Sequence, residues 1–276
     1  ARSGRCGRLP PRPRLPRSNL MASQDGLGVT RLDDATQTHR LLVLPASHFC
    51  ERARWGLDHA GVDYDEVRLA AGIHMPLTRR VAPGTSLPVL IVPGGGAVQG
   101  SGRILDHLRL PGGDPALEDR FEHRIATLLR QYLYSVALHH RGSGVPDMLF
   151  DGVPAWQRLI GRASWPVLRR VMASSMDARP ALTAALEEEL ERELGWFDNR
   201  VDGTRPLVGG TFGRADITAA SLLAPLALPA EMPVYRHLRL PAATAATLAR
   251  WRNRPSLRWV LSTYETYRRP NGSRPA

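Results

Sequence analysis

In the stretch PASHFCERARW, residues 45–55, a serine and a cysteine stand three positions apart, where an apolar run gives way to a helical one. Ser47 falls at the start of that helix and Cys50 at about its third position. The first place suits chemistry, because free N–H groups and the helix dipole stabilise an anion beside a helix N-terminus. The third place tends to turn into the core, where a free cysteine is inert. Ser101 opens a second helix and reads, on sequence alone, as an ordinary N-cap.

Composition removes several other chemistries. All 37 basic residues are arginine, which excludes a P-loop, Schiff-base or general-base lysine. The glycine-rich PGGGAVQGSGR (93–103) contains no G-x-G-x-x-G. Its Gly95 and Gly100 have Walker-A spacing but are followed by Ser101 instead of lysine, so a hairpin turn is the better reading. The only cysteines are Cys6 and Cys50. They predict no disulfide framework, no metal site and a reducing, cytoplasmic setting. His139 and His140 are adjacent and would point about 100° apart on a helix, a poor ligand pair.

The formal charge of +11 divides unevenly: residues 1–20 hold six arginines and no acid, leaving +5 for the rest. That remainder is too small to point to a nucleic-acid partner. No run approaches the roughly 18 apolar residues of a membrane span, so no membrane partner is expected.

Positioning these residues requires elements around them. Residues 1–38 are rich in Pro, Arg, Ser, Gly and Asp without periodicity and read as a disordered basic leader. Its four prolines between 10 and 16 break an amphipathic transit helix. A nucleic-acid arm stays open on charge, and a start at Met21 would make the first 20 residues extraneous. Order is expected from 39. Leu41–Leu44 reads as a buried strand, His48–Ala60 as a helix ended by Gly61, and 62–70 as a second strand. Residues 87–100 read as a hairpin and 101–110 as a helix. Beyond PGGDP only helices are expected. One carries Leu117, Phe121, Ile125, Leu128, Tyr132 and Val136 at helical spacing, and another has the acidic run Glu187–Glu193 as a solvated face. Three more are expected, one at about 214–225 and two in 241–269, separated near Asn253–Pro255.

A strand ending in S-x-x-C-x-R at a helix start, then LPVL about 40 residues on, a hairpin and GSGRIL, resembles the thioredoxin-like domain of glutathione S-transferases. LVGGTFGRADITAASLLAPL (207–226) resembles that superfamily's buried capping-box helix. The resemblance implies an α/β thioredoxin-like domain over 39–110 followed by an all-α domain over 116–270. It also implies glutathione as co-substrate, a small electrophile as second substrate, no cofactor and a homodimer. Leu87, Pro88 and Val89 match the cis-proline segment whose backbone pairs with the cysteinyl part of glutathione. Ser101 matches the hydroxyl that holds the γ-glutamyl carboxylate at a helix N-terminus.

Two positions depart from the pattern. Where the family has Glu or Gln before that serine, this chain has Gly100, with Gln99 one place earlier and turned to the other strand face. Where the capping box has Ser or Thr, this chain has Gly213, although Asp216 can still reach back to the Gly213 backbone. By the resemblance, Ser47 donates a hydrogen bond to the bound thiolate. Lowering a thiol pKa of about 8.5 by about two units raises the thiolate at pH 7 from roughly 3% to about 75%. The accompanying loss of nucleophilicity leaves a net gain of only a few-fold, so positioning against the electrophile supplies the rest. The second-substrate pocket is expected between the domains, facing the helix of Tyr132 and Tyr134, with Arg52 paired to an acid. Two alternatives stay open: disulfide exchange through Cys50, and a non-catalytic binding or assembly module, which Gly100 favours. A thiol other than glutathione is a further alternative.

Overall fold

The computed structural model describes residues 37–268. The leader expected over residues 1–38, with Cys6 and Met21, lies outside the described residues except for Gln37 and Thr38. Strand β1 (His39–Val43) is central in a four-stranded mixed sheet. It pairs in parallel with β2 (Tyr64–Arg68) and antiparallel with β3 (Val89–Ile91), which pairs antiparallel with β4 (Ala97–Gln99). Leu41, Leu42 and Val43 are fully buried, so β1 reads as an unbroken apolar run instead of an alternating one.

Helix α1 (His48–Ala60) makes the crossover from β1 to β2. It packs Cys50, Ala53 and Leu57 against Leu41, Val43 and Leu90. The helix ends at Gly61, which takes φ 68° and donates its N–H to the Asp58 carbonyl, a left-handed cap that glycine adopts without strain. Between β2 and β3 lies α2 (His74–Val81), which the sequence pattern did not reveal. Its start at Ile73 has no side-chain cap, and Pro76 sits within its first turn, so the usual start signal is missing. Helix α3 (Ser101–His107) closes this α/β half.

The helical half begins with α4 (Pro115–Asp119), a π-helical stretch Arg120–Ile125 and α5 (Ala126–Ala137). Leu117, Phe121 and Ile125 are buried as their spacing predicts, but beyond the π stretch Leu129 is buried in place of Leu128. A π turn holds one extra residue, which rotates the following helix relative to a strict helical count. Three short helices, α6 (Val145–Leu149), α7 (Ala155–Ala163) and α8 (Trp165–Ser175), fill a stretch of the expected helical half in which no individual helix is marked by periodicity. They carry apolar residues outward, Leu159 being 72% exposed, so hydrophobicity there does not mark a buried face.

Helices α9 (Thr183–Asp198), α10 (Arg214–Ala227), α11 (Ala242–Arg252) and α12 (Pro255–Tyr267) complete the fold. Buried from Ala215 to Ala227, α10 packs on α1 and α12. The acidic run of α9 is not the solvated face expected of it. Glu193 is buried and accepts from Arg120 Nε at 2.8 Å and from Arg124, while Glu191 takes Arg250, Arg254 and the Trp251 indole. Arginines from three other segments turn the run into an inter-helix network that sequence neighbours could not show. Among the described residues no helix is long and apolar enough to cross a membrane.

Candidate functional site

The site starts where β1 leaves the sheet. The Ser47 N–H donates to the Leu44 carbonyl at 3.2 Å, a tight turn that sets Ser47 as the N-cap of α1. Its Oγ accepts from the Cys50 N–H at 3.3 Å. A serine hydroxyl has one proton to give and two lone pairs, so this cap bond leaves the O–H free to donate elsewhere. Cys50, one helical turn on, is fully buried, and its Sγ accepts from the Leu44 N–H at 3.4 Å. Burial pushes its thiol above the ordinary range, although Arg54 and the Ser47 contact pull the other way.

Facing Ser47 is a cavity of about 620 Å³ between the α/β and helical halves. Ser47, His48, Ser86 and Leu87 line it from the first half; Arg130, Tyr134, Met148, Val167 and Val171 line it from the second. The Leu87–Pro88 peptide is cis. Val89 begins β3 and pairs with both Leu42 and Gln99. Of the residues singled out from sequence, Ser47 and Leu87 meet at this cavity, whereas Cys50, Pro88, Val89, Gln99, Gly100 and Ser101 do not line it.

Gly100 and Ser101 lie beyond the proline. The Gly100 N–H donates to the Pro88 carbonyl at 2.9 Å, tying the helix start to the proline turn. Gly100 sits at φ 98°, where a residue with a Cβ is strained. Ser101 is buried as the first residue of α3, and its Oγ has no hydrogen-bond partner. Gln99 accepts from the Gly84 N–H at 3.0 Å and donates to the Ser86 carbonyl at 2.8 Å. Its side chain thus braces the loop that leads into Leu87 and Pro88.

The other candidates are architectural. Asp216 accepts the Gly213 N–H at 2.9 Å and the Leu207 N–H at 2.8 Å, half of a capping box. A Cβ added to Gly213 would stand 2.6 Å from the Pro111 carbonyl oxygen, so the glycine is required by a close backbone approach. Arg52 is buried and bonded to Glu118 at 3.0 Å and Glu122 at 2.6 Å. Tyr132 is buried in the core and donates to Glu187 at 3.2 Å, while Tyr134 faces the cavity.

Two cavity residues escaped sequence reasoning. His48 follows Ser47 directly and is buried, with Nε2 lacking a hydrogen-bond partner. Burial, with a contribution from Arg130, pulls its imidazole down to about 3, so it is neutral. Arg130 stands four residues before Tyr134 on α5, a spacing that places both on one helix face and was the available signal.

Residues 41–110 match the family model described as glutathione S-transferase, N-terminal domain. Across its two halves the chain has a glutathione S-transferase-like fold. A glutathione S-transferase of Ceriporiopsis subvermispora, solved in complex with glutathione, is similar at TM-score 0.58 with 14% identity. That similarity covers 86% of this chain and 100% of the other. Glutaredoxin 2 from Salmonella typhimurium, in complex with glutathione, gives TM-score 0.48 and 17% identity over 83% of this chain and 99% of that one. A theta class glutathione S-transferase from Xanthomonas axonopodis pv. citri, with glutathione bound, gives TM-score 0.48 and 19% identity over 82% and 98%. No curated protein matches the sequence.

Proposed function

We propose that this chain is a glutathione-dependent transferase of the serine type, in which Ser47 donates a hydrogen bond to the sulfur of bound glutathione. The observation that carries this reading is the Ser47 hydroxyl, which caps α1 through its oxygen and keeps its proton available at the wall of the cavity. A hydrogen bond to the charged form, given at a helix N-terminus, lowers a thiol pKa. In the reaction the thiol proton passes to solvent and the sulfur lone pair forms the new C–S bond. The leaving group of the electrophile departs with its bonding pair. Exchange through Cys50 finds no support, since its sulfur is sealed in the core and its thiol is pushed up.

Ser101 supplies the other end of the tripeptide site. A buried hydroxyl without a partner costs about 1–3 kcal/mol, a deficit that a carboxylate at the start of α3 would remove. The Ceriporiopsis subvermispora glutathione S-transferase of similar fold was solved in complex with glutathione, which supports the choice of thiol. Gly100 favours the second reading, a binding or assembly module without turnover, because no side chain is present there to meet the γ-glutamyl ammonium. Calorimetric titration of glutathione decides between them. The transferase reading expects millimolar binding or tighter, weakened about tenfold by Ser101→Ala. No heat from the folded protein at two temperatures would favour the module or a thiol other than glutathione.

A further inference from the structure

The cavity has a single kind of charge. Its lining includes Arg130 but no aspartate or glutamate. Most other half-buried or buried arginines of the described residues are met by carboxylates: Arg52 by Glu118 and Glu122, Arg54 by Glu66, Arg214 by Glu118, and Arg268 by Glu51 and Asp58. Arg130, half-buried on α5, has neither an ion pair nor a hydrogen bond among the described residues. It lines the cavity together with His48, which is buried, and Tyr134, which is half-buried. Beside it the buried His48 Nε2 also lacks a partner, as does the Tyr235 hydroxyl on the same lining. A cation half-buried against an apolar wall loses part of its hydration, and an anionic group beside it would compensate.

We propose that the cavity receives an apolar molecule bearing one anionic group, a carboxylate or sulfonate, which pairs with the Arg130 guanidinium while the apolar body lies along Leu133, Met148 and Val167. Under the transferase reading this molecule is the electrophile, so its class is that of hydrophobic organic acids. The binding claim rests on the cavity alone; only the assignment as substrate rests on the transferase reading. Arg130 suits the task because a planar guanidinium takes both oxygens of a carboxylate at once. The neutral imidazole of His48 adds a donor or acceptor without competing charge.

The test uses a matched pair of fluorescent probes, anilinonaphthalene sulfonate and its uncharged parent phenylnaphthylamine, titrated without glutathione into the full chain. Arg130→Gln is expected to weaken the sulfonate about tenfold or more and to leave the uncharged probe within about twofold. Arg130→Lys should restore part of the loss, and melting curves verify that both variants fold. Equal weakening of both probes would make Arg130 a packing residue and overturn the proposal, as would no change for either. In turnover with glutathione, wild type should prefer chlorodinitrobenzoate to chlorodinitrobenzene in kcat/KM, and Arg130→Gln should abolish that preference. If neither arene reacts while the probes still discriminate, the transferase reading falls and the anion site stands.

Discussion

Arg52 on α1 is buried and Arg130 on α5 is half-buried, yet only Arg52 meets carboxylates. Arg52 is 1% exposed and grips Glu118 and Glu122; Glu118 also takes Arg214 from α10, at 2.8 Å. That junction locks α1, α4 and α10 together, with Gly213 pressed on the Pro111 carbonyl beside it. The Arg130 wall has no such closure: a half-buried cation, a neutral His48 and a large apolar cavity. The same residue type serves architecture in one place and stays available to a ligand in the other. Partners decide the role, since buried charge is tolerated where it is paired.

Breaking the lock should have the largest effect. Arg52→Ala takes the guanidinium away from Glu122 and leaves Glu118 with Arg214 alone, and urea denaturation should show a loss of about 3 kcal/mol or more. Arg130→Gln, by contrast, should leave the denaturation midpoint nearly unchanged. If the two variants lose equal stability, the contrast between lock and cavity fails.

Gly213→Ser sharpens the point at smaller cost. By cap preference alone, serine at a helix N-cap improves on glycine by a few tenths of a kcal/mol. The Pro111 carbonyl leaves no room for its Cβ, so the substitution should instead destabilise by about 1–3 kcal/mol. A gain on thermal melting would mean that the backbone contact yields easily.

These contrasts also explain what the sequence could and could not reveal. Ser47 to Gly61 was legible because the cap, the apolar spacing and the terminating glycine are all local signals. The strand pattern was legible for the same reason, whereas the proline segment was read from resemblance, because context and not local sequence holds a cis peptide. Helix α2 was hidden because it lacks a side-chain cap, and α6 to α8 because apolar residues face outward there. The partners of Glu193, the Arg52 lock and the Gly213 contact join residues up to about 100 positions apart, which periodicity does not report. Arg130 was missed for the opposite reason, as an arginine on a helix looks like a solvated one until the cavity beside it is seen.

If Ser47, and not Cys50, acts on the bound thiol, the titration of that thiol must depend on the Ser47 hydroxyl. Titrating the ultraviolet absorbance of the thiolate in the glutathione complex tests it, against a free thiol pKa of about 8.5. The bound value is expected clearly below that. Ser47→Ala should move it back up by about one unit or more, while Cys50→Ala leaves it in place. An unshifted thiol in the wild type, or a shift that follows Cys50 instead of Ser47, would contradict it.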